Sequence, residues 1–200
     1  MKDNIIPSQQ QGAQSNTESS RQFANSDEQE NFYQQVKQRL LNINQWHDYA
    51  GKLTASFQLT DRHGNDLQRT VQKGDYWKID IPAPGSVTGE GHDWVRVEAV
   101  EEKKENQEEY LAIRVRPCSS PLNENKDIAH FFSDEATSSF IVKKQADMVV
   151  AGVYGRNEKP NTKVDKFVDK ARNTAIATGA VTGFSKLQWK SLVDGLLDIS

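Results

Sequence analysis

Between Ser26 and Trp46 the apolar residues Phe32, Val36, Leu40 and Ile43 recur at intervals of four, four and three, while Gln34, Gln35, Lys37 and Gln38 fill the positions between them. That spacing is one face of an α-helix. Ser26-Asp27-Glu28-Gln29 ahead of it matches an S-x-x-Q capping box, with acidic residues at the positive end of the helix dipole. An amphipathic helix is therefore expected over 26–50. From Lys52 the period drops to two: Leu53, Ala55, Phe57 and Leu59 alternate with Thr54, Ser56, Gln58 and Thr60 until the turn formers Asp61 to Asp66. Leu67 to Gln72 reads as the return strand of a hairpin. Tyr76 to Ile81 is the next strand, stopped by Pro82 and Pro84, which cannot donate to a ladder.

After the loop Pro82 to His92, strands are expected at Asp93 to Glu101 and at Glu109 to Arg116, joined by a charged tip. A further pair, Ser138 to Lys144 and Met148 to Tyr154, flanks Gln145-Ala146-Asp147. With about seven strands at short spacing and no helix between most neighbours, the sheet over 52–155 should be largely antiparallel and twisted, with curling toward a barrel open to it. Helical spacing returns over 162–199. Thr162-x-x-Asp165 and Ser185-x-x-Gln188 start two helices, the first carrying Val164, Phe167, Val168 and Ala171, the second Trp189, Leu192, Val193 and Leu196. The fold class is α+β: an N-terminal helix, the sheet, and a C-terminal helical pair forming a single domain over 26–200. Residues 1–25, rich in Gln, Ser and Asn, have little to bury and are expected to be a disordered polar tail, with Ile5-Ile6-Pro7 as its apolar handle.

The order helix, antiparallel strands, long helix resembles the helix-grip ligand binders in outline. No motif accompanies the resemblance, and the strand that precedes the first helices in that family has no counterpart among the expected elements, so no residue role is carried over from it.

Composition narrows the classes. The chain has 200 residues, 36% hydrophobic and 26% charged, net charge −3 and one cysteine. Its mean hydropathy of −0.77 is lowered by the polar N-terminal stretch. No apolar run reaches the roughly 18 residues of a membrane helix, so no membrane association is expected. Met1 to Pro7 lacks the apolar segment of a secretory signal, and Cys118 alone cannot form an internal disulfide; a cytoplasmic location is expected. The mildly acidic balance argues against general nucleic-acid binding.

Five residues are candidates for ligand binding. Arg156, Asn157 and Glu158 lie between a strand and an expected helix start, where Arg156 would clamp an oxyanion and its neighbours would fix polar groups. Ordinary turn chemistry, with Arg and Glu pairing to each other, is the plainer reading. Arg114 shares a strand face with Arg116, opposite Arg96 and Glu98 on the preceding strand, an Arg/Glu ladder that is a solvated face unless it lines a concavity. His130, with Asp134 four residues on, is too small a ligand set for a metal; a core histidine bonded to backbone fits better. No metal or other cofactor is expected.

Catalytic signatures are incomplete. The loop around Gly85, Gly89 and Gly91 lacks the G-K-[ST] ending of a phosphate loop, and Cys118 has only His130 close in sequence. Trp46, Trp77, Trp94 and Trp189 suit recognition surfaces and cores, with the core favoured. The reading leans away from an enzyme, toward a non-enzymatic binding or protein–protein interaction module whose partner is another protein or a second copy. The alternative is a small-molecule pocket protein, carrier or modest enzyme, with Arg156, Asn157, Glu158, Arg114 and His130 converging between the sheet and the helix from Thr162.

Overall fold

The computed structural model describes residues 5–51, 55–81, 86–105, 108–122, 124, 126–162, 173–174, 176 and 184–199. Three helices, α1 (Ser26–Leu41), α2 (Trp46–Ala50) and α3 (Phe184–Leu197), pack on one face of an antiparallel sheet. The seven strands are β1 (Ala13–Gln22), β2 (Ser56–Thr60), β3 (Tyr76–Asp80), β4 (Asp93–Glu105), β5 (Glu108–Pro117), β6 (Thr137–Gln145) and β7 (Met148–Glu158). Their order is β1-β7-β6-β5-β4-β3-β2, so the sheet ends on β1 and β2 and does not close into a barrel. The α+β class and the seven-strand antiparallel sheet are as expected. Of the first C-terminal helix, only Asn173, Thr174 and Ile176 are described, all helical; the rest of that expectation lies outside the described residues.

One strand is exchanged for another. Residues 13–22, expected within a disordered tail, form β1, paired along its length with β7 from Ala13↔Glu158 to Gln22↔Met148. Its order comes from main-chain hydrogen bonds, which need no apolar side chain; only Thr17 is buried along it. Conversely, Leu67 to Gln72 is not a strand. Beyond the single bridge Thr60↔Asp66, that segment leaves β2 to reach α1, where Val71 N donates to Leu41 O at 3.1 Å and the Val71 side chain is buried. With β1 ahead of α1, the strand missing from the helix-grip outline is present.

Local signals explain the rest. The α1 cap is Asn25, one residue before the expected Ser26; its Oδ1 accepts from Asp27 N at 2.8 Å and Glu28 N at 3.2 Å. Gln29, instead of reaching back to the cap, donates to Ala146 O and Met148 O and ties the helix to the β6–β7 turn. Phe32, Tyr33, Val36 and Leu40 then face the sheet. The interior is aromatic: the Trp46 ring lies 5.4 Å from Phe57, 5.2 Å from Trp77 and 4.8 Å from Phe140, and Trp189 stacks edgewise on Phe140 at 5.3 Å. Trp46, Trp77 and Trp94 are fully buried. Burying each large apolar side chain contributes roughly 1.5–3 kcal/mol, which Trp46 and Trp77 share with the aliphatic residues packed around them. Where α2 crosses α3, a Cβ on Gly195 would stand 2.0 Å from Tyr49 O, so only glycine permits that approach.

The outer face of the sheet is partly covered as well. Ile5 packs with Ala112 and Ile141, beside Ile6, Ala99, Tyr110 and Tyr154, and Ser139 Oγ donates to Ile5 O at 2.7 Å. The N-terminal segment thus runs across the outer face before turning into β1.

Candidate functional site

Arg156, Asn157 and Glu158 are brought together at the end of β7, and each is bonded to the chain's own N-terminal segment. Arg156 Nη1 donates to Asn16 Oδ1 at 2.8 Å and Ser15 O at 3.1 Å. Asn157 Oδ1 accepts from Gln10 N at 2.8 Å and Gln11 N at 3.2 Å, while Asn157 N donates to Gln9 Oε1 at 2.9 Å. The residue adopts φ 57°, a left-handed conformation that Asn tolerates better than most. Glu158 accepts from Ser15 Oγ at 3.1 Å; burial pushes its carboxyl above the usual range, against the pull of Ser15 and Arg156. These three residues clasp the segment from Gln9 to Asn16.

The other two candidates lie elsewhere. Arg114 is on the outer face of β5, its Nε donating to Glu98 Oε2 at 2.9 Å, and β6 separates it from β7. His130 is buried in the connection between β5 and β6, stacked on Phe131 at 4.3 Å, with its Nδ1 accepting from Phe132 N at 2.9 Å. It acts there as a backbone acceptor. Asn161 donates to Ile128 O and His130 O, and Asn173 to Asn161 O, which fixes the same loop cluster. The five residues do not line one pocket. Asp134, four residues after His130, is exposed, and among the described residues no group of three His, Cys, Asp or Glu side chains gathers as for a metal. Burial pushes the Cys118 thiol up to about 12, with Arg96 pulling the other way, so it stays protonated at neutral pH and is a poor nucleophile.

A concavity beside the helices lies between β1 and α3, a groove of about 530 Å³ lined by Asn16, Thr17, Glu18, Lys186, Leu187 and Lys190. Three consecutive strand residues on the wall mean that it runs along the strand's edge and not over one face, because successive side chains of a strand point to opposite sides. Leu187 is 72% exposed, the most exposed of the large apolar side chains among the described residues. Lys190 Nζ bonds Asp194 Oδ1 at 2.5 Å and Ser19 Oγ at 3.1 Å, joining helix to strand. Although burial opposes it, bonds from Lys190 and Ser19 hold the Asp194 carboxyl below its usual value. Among the described residues no strand pairs with the second edge of β1. The period-two pattern that reveals half-buried strands is absent from this polar segment, so the groove had no signal in the sequence beyond the S-x-x-Q start of α3.

Comparison with known proteins reaches the fold and no further. No family model matches the chain, and no curated protein matches its sequence. Among solved structures, a hypothetical protein from Helicobacter pylori is similar at TM-score 0.51 and 15% identity, over 94% of this chain and 87% of that one. XoxI from Bacillus cereus matches at TM-score 0.42 and 16% identity, covering 94% and 97% of the two chains. A major latex-like protein from Panax ginseng matches at TM-score 0.33 and 12% identity, covering 85% and 96%. The Helicobacter pylori protein shares the fold of this chain, a strand, helices, antiparallel strands and a long helix.

Proposed function

We propose that this protein is a non-enzymatic binding module whose partner is a protein, recognised as an extended segment added along β1 in the groove beside α3. The observation that carries the reading is the second edge of β1, with which no strand pairs among the described residues. Ten residues long, it carries two charges, Glu18 and Arg21, and no proline or lysine, and the register shift between Ala13 and Ser15 lies at its start, so from Asn16 to Ser20 few of the usual guards against strand addition are present. Strand addition draws affinity from main-chain hydrogen bonds and specificity from alternate side chains. Leu187 supports an apolar side chain on the incoming segment, and Lys186 supports an acidic one.

A photo-crosslinking residue at Asn16 in the full-length protein, followed by mass spectrometry of the crosslinked peptide, tests this. An extended segment of another protein, lost in Leu187→Asp, is the expected product; a segment of a second copy would make the module self-assembling. Crosslinking that survives Leu187→Asp, with unchanged amide exchange along β1, would sink the reading.

A small-molecule carrier is the second reading. It rests on the helix-grip arrangement, a ligand-binding type of fold, and on Trp77 Nε1, a buried donor with no hydrogen-bond partner among the described residues. Native mass spectrometry of freshly purified protein distinguishes it by a bound mass that Trp77→Phe removes.

A further inference from the structure

On the outer face of the sheet, away from the β1 groove, Lys73, Arg96, Arg114 and Arg116 surround a depression of about 420 Å³ that also includes Glu98 and Cys118. Among the described residues, four cations line it with one carboxylate. Two features of the sheet build this arrangement. First, the β4–β5 register pairs Arg96 directly with Arg116. Like charges opposite one another in an antiparallel pair are destabilising, so the sheet tolerates a local cost here. Second, the register shifts between Val97 and Ala99, and the bulge leaves Glu98 without an opposite residue. Bulges re-aim side chains, and this one sends Glu98 across to β5, where it accepts from Arg114 Nε at 2.9 Å and from Arg116 Nε at 2.5 Å. Arg116 Nη1 is held in turn by Asp134 O at 2.7 Å. Arg114 is only 15% exposed in its side chain. Glu98 therefore positions two guanidinium groups in a partly sheltered site, while Arg96, exposed and without a carboxylate in salt-bridge reach among the described residues, adds a third.

We infer that this depression is a binding site for a small ligand carrying a multiply charged oxyanion, held by Arg96, Arg114, Arg116 and Lys73 with Glu98 as the positioning residue. A guanidinium presents its donors as a planar fork that matches carboxylate or phosphate oxygens, and among the described residues four cations against one carboxylate leave an excess of positive charge that a single chloride would not satisfy. A phosphate ester and a polycarboxylic acid share the required chemistry. Leu187, on the far side of β1, takes no part, so the site stands or falls apart from the strand-addition reading.

Isothermal titration of the full-length protein at low salt with pyrophosphate and, separately, with citrate is the test. Binding by either in the sub-millimolar range is expected, with the tighter of the two naming the source. Arg96→Gln should weaken it by about tenfold, the loss of one charge-assisted pair, while raising Tm because the Arg96–Arg116 repulsion is gone. Lys73→Gln should weaken it by a smaller factor, and Leu187→Asp should leave it unchanged. The inference is overturned by the absence of heat with both anions at millimolar concentration, by affinity indifferent to Arg96→Gln, or by a poly-glutamate peptide that binds far more tightly than either.

Discussion

The sheet has two ends, and the protein treats them differently. At β2 the edge is short and covered: Leu59 N donates to Asn44 Oδ1 at 2.7 Å, Leu67 N donates to Leu59 O at 2.8 Å, and Asn44 Nδ2 holds Leu67 O at 2.8 Å. One asparagine and one returning loop satisfy the Leu59 backbone groups that a neighbouring strand would otherwise take. At β1 the edge is twice as long, ten residues against five, and opens into a groove. A bare edge is a hazard that most proteins suppress, and this difference between the two ends is what the proposed strand addition along β1 rests on.

That contrast can be broken from the covered side. Asn44→Ala leaves Leu59 N, in a fully buried residue, without its acceptor and Leu67 O without its donor. A loss of about 2–3 kcal/mol is expected, since an orphaned buried group costs its full desolvation. Urea denaturation would read it, and size-exclusion chromatography should show concentration-dependent association once the second edge is open.

On the β1 side, Asn157→Gly keeps the left-handed backbone but removes the acceptor for Gln10 N and Gln11 N. The cost should be smaller, about 1–2 kcal/mol for two hydrogen bonds. Its signature is faster amide exchange over residues 9–22, with the exchange of β4 to β6 unaltered.

Glu158 offers a finer probe of the same end. Burial raises its carboxyl above the ordinary value near 4.5, so the folded state holds the proton more tightly than the unfolded one. A group shifted in that direction contributes its stability below the unfolded pKa and loses it as pH rises through the folded pKa. Glu158→Gln, which retains an acceptor for Ser15 Oγ, should therefore raise Tm at pH 7 and leave it nearly unchanged at pH 4. An equal shift at both pH values would assign the effect to packing and not to charge.

Much of the fold was legible in the pattern of residues. The period of four, four and three located α1, and the alternation of Trp77 and Ile79, of Leu111, Ile113 and Val115, and of Phe140 and Val142 located strands whose inward side chains all enter the core. What escaped was whatever depends on main-chain pairing alone. β1 has no apolar alternation because its partner β7 supplies the order, and Leu67 to Gln72, expected as the return strand of a hairpin, is not a strand because Val71 is drawn to α1. The candidate residues divided the same way. The face shared by Arg114, Arg116, Arg96 and Glu98 follows from a period of two, whereas the bulge that aims Glu98 does not. Arg156, Asn157 and Glu158 were recognisable as unusual polar residues after a strand, but their partners lie about 140 residues earlier, at Gln9 to Asn16, beyond any local pattern.

The same separation governs how the chain can fold. β1 leaves the ribosome early, yet the strand it pairs with ends at Glu158, so it must wait while nearly the whole sheet is made. Long-range pairing of this kind is slow and leaves unpaired strand exposed in the meantime. A hydrophobic β1 would spend that interval seeking other chains. Its serines, glutamines and asparagine make the delay safe, which turns the polarity that looked like disorder into a condition for assembling the sheet in order.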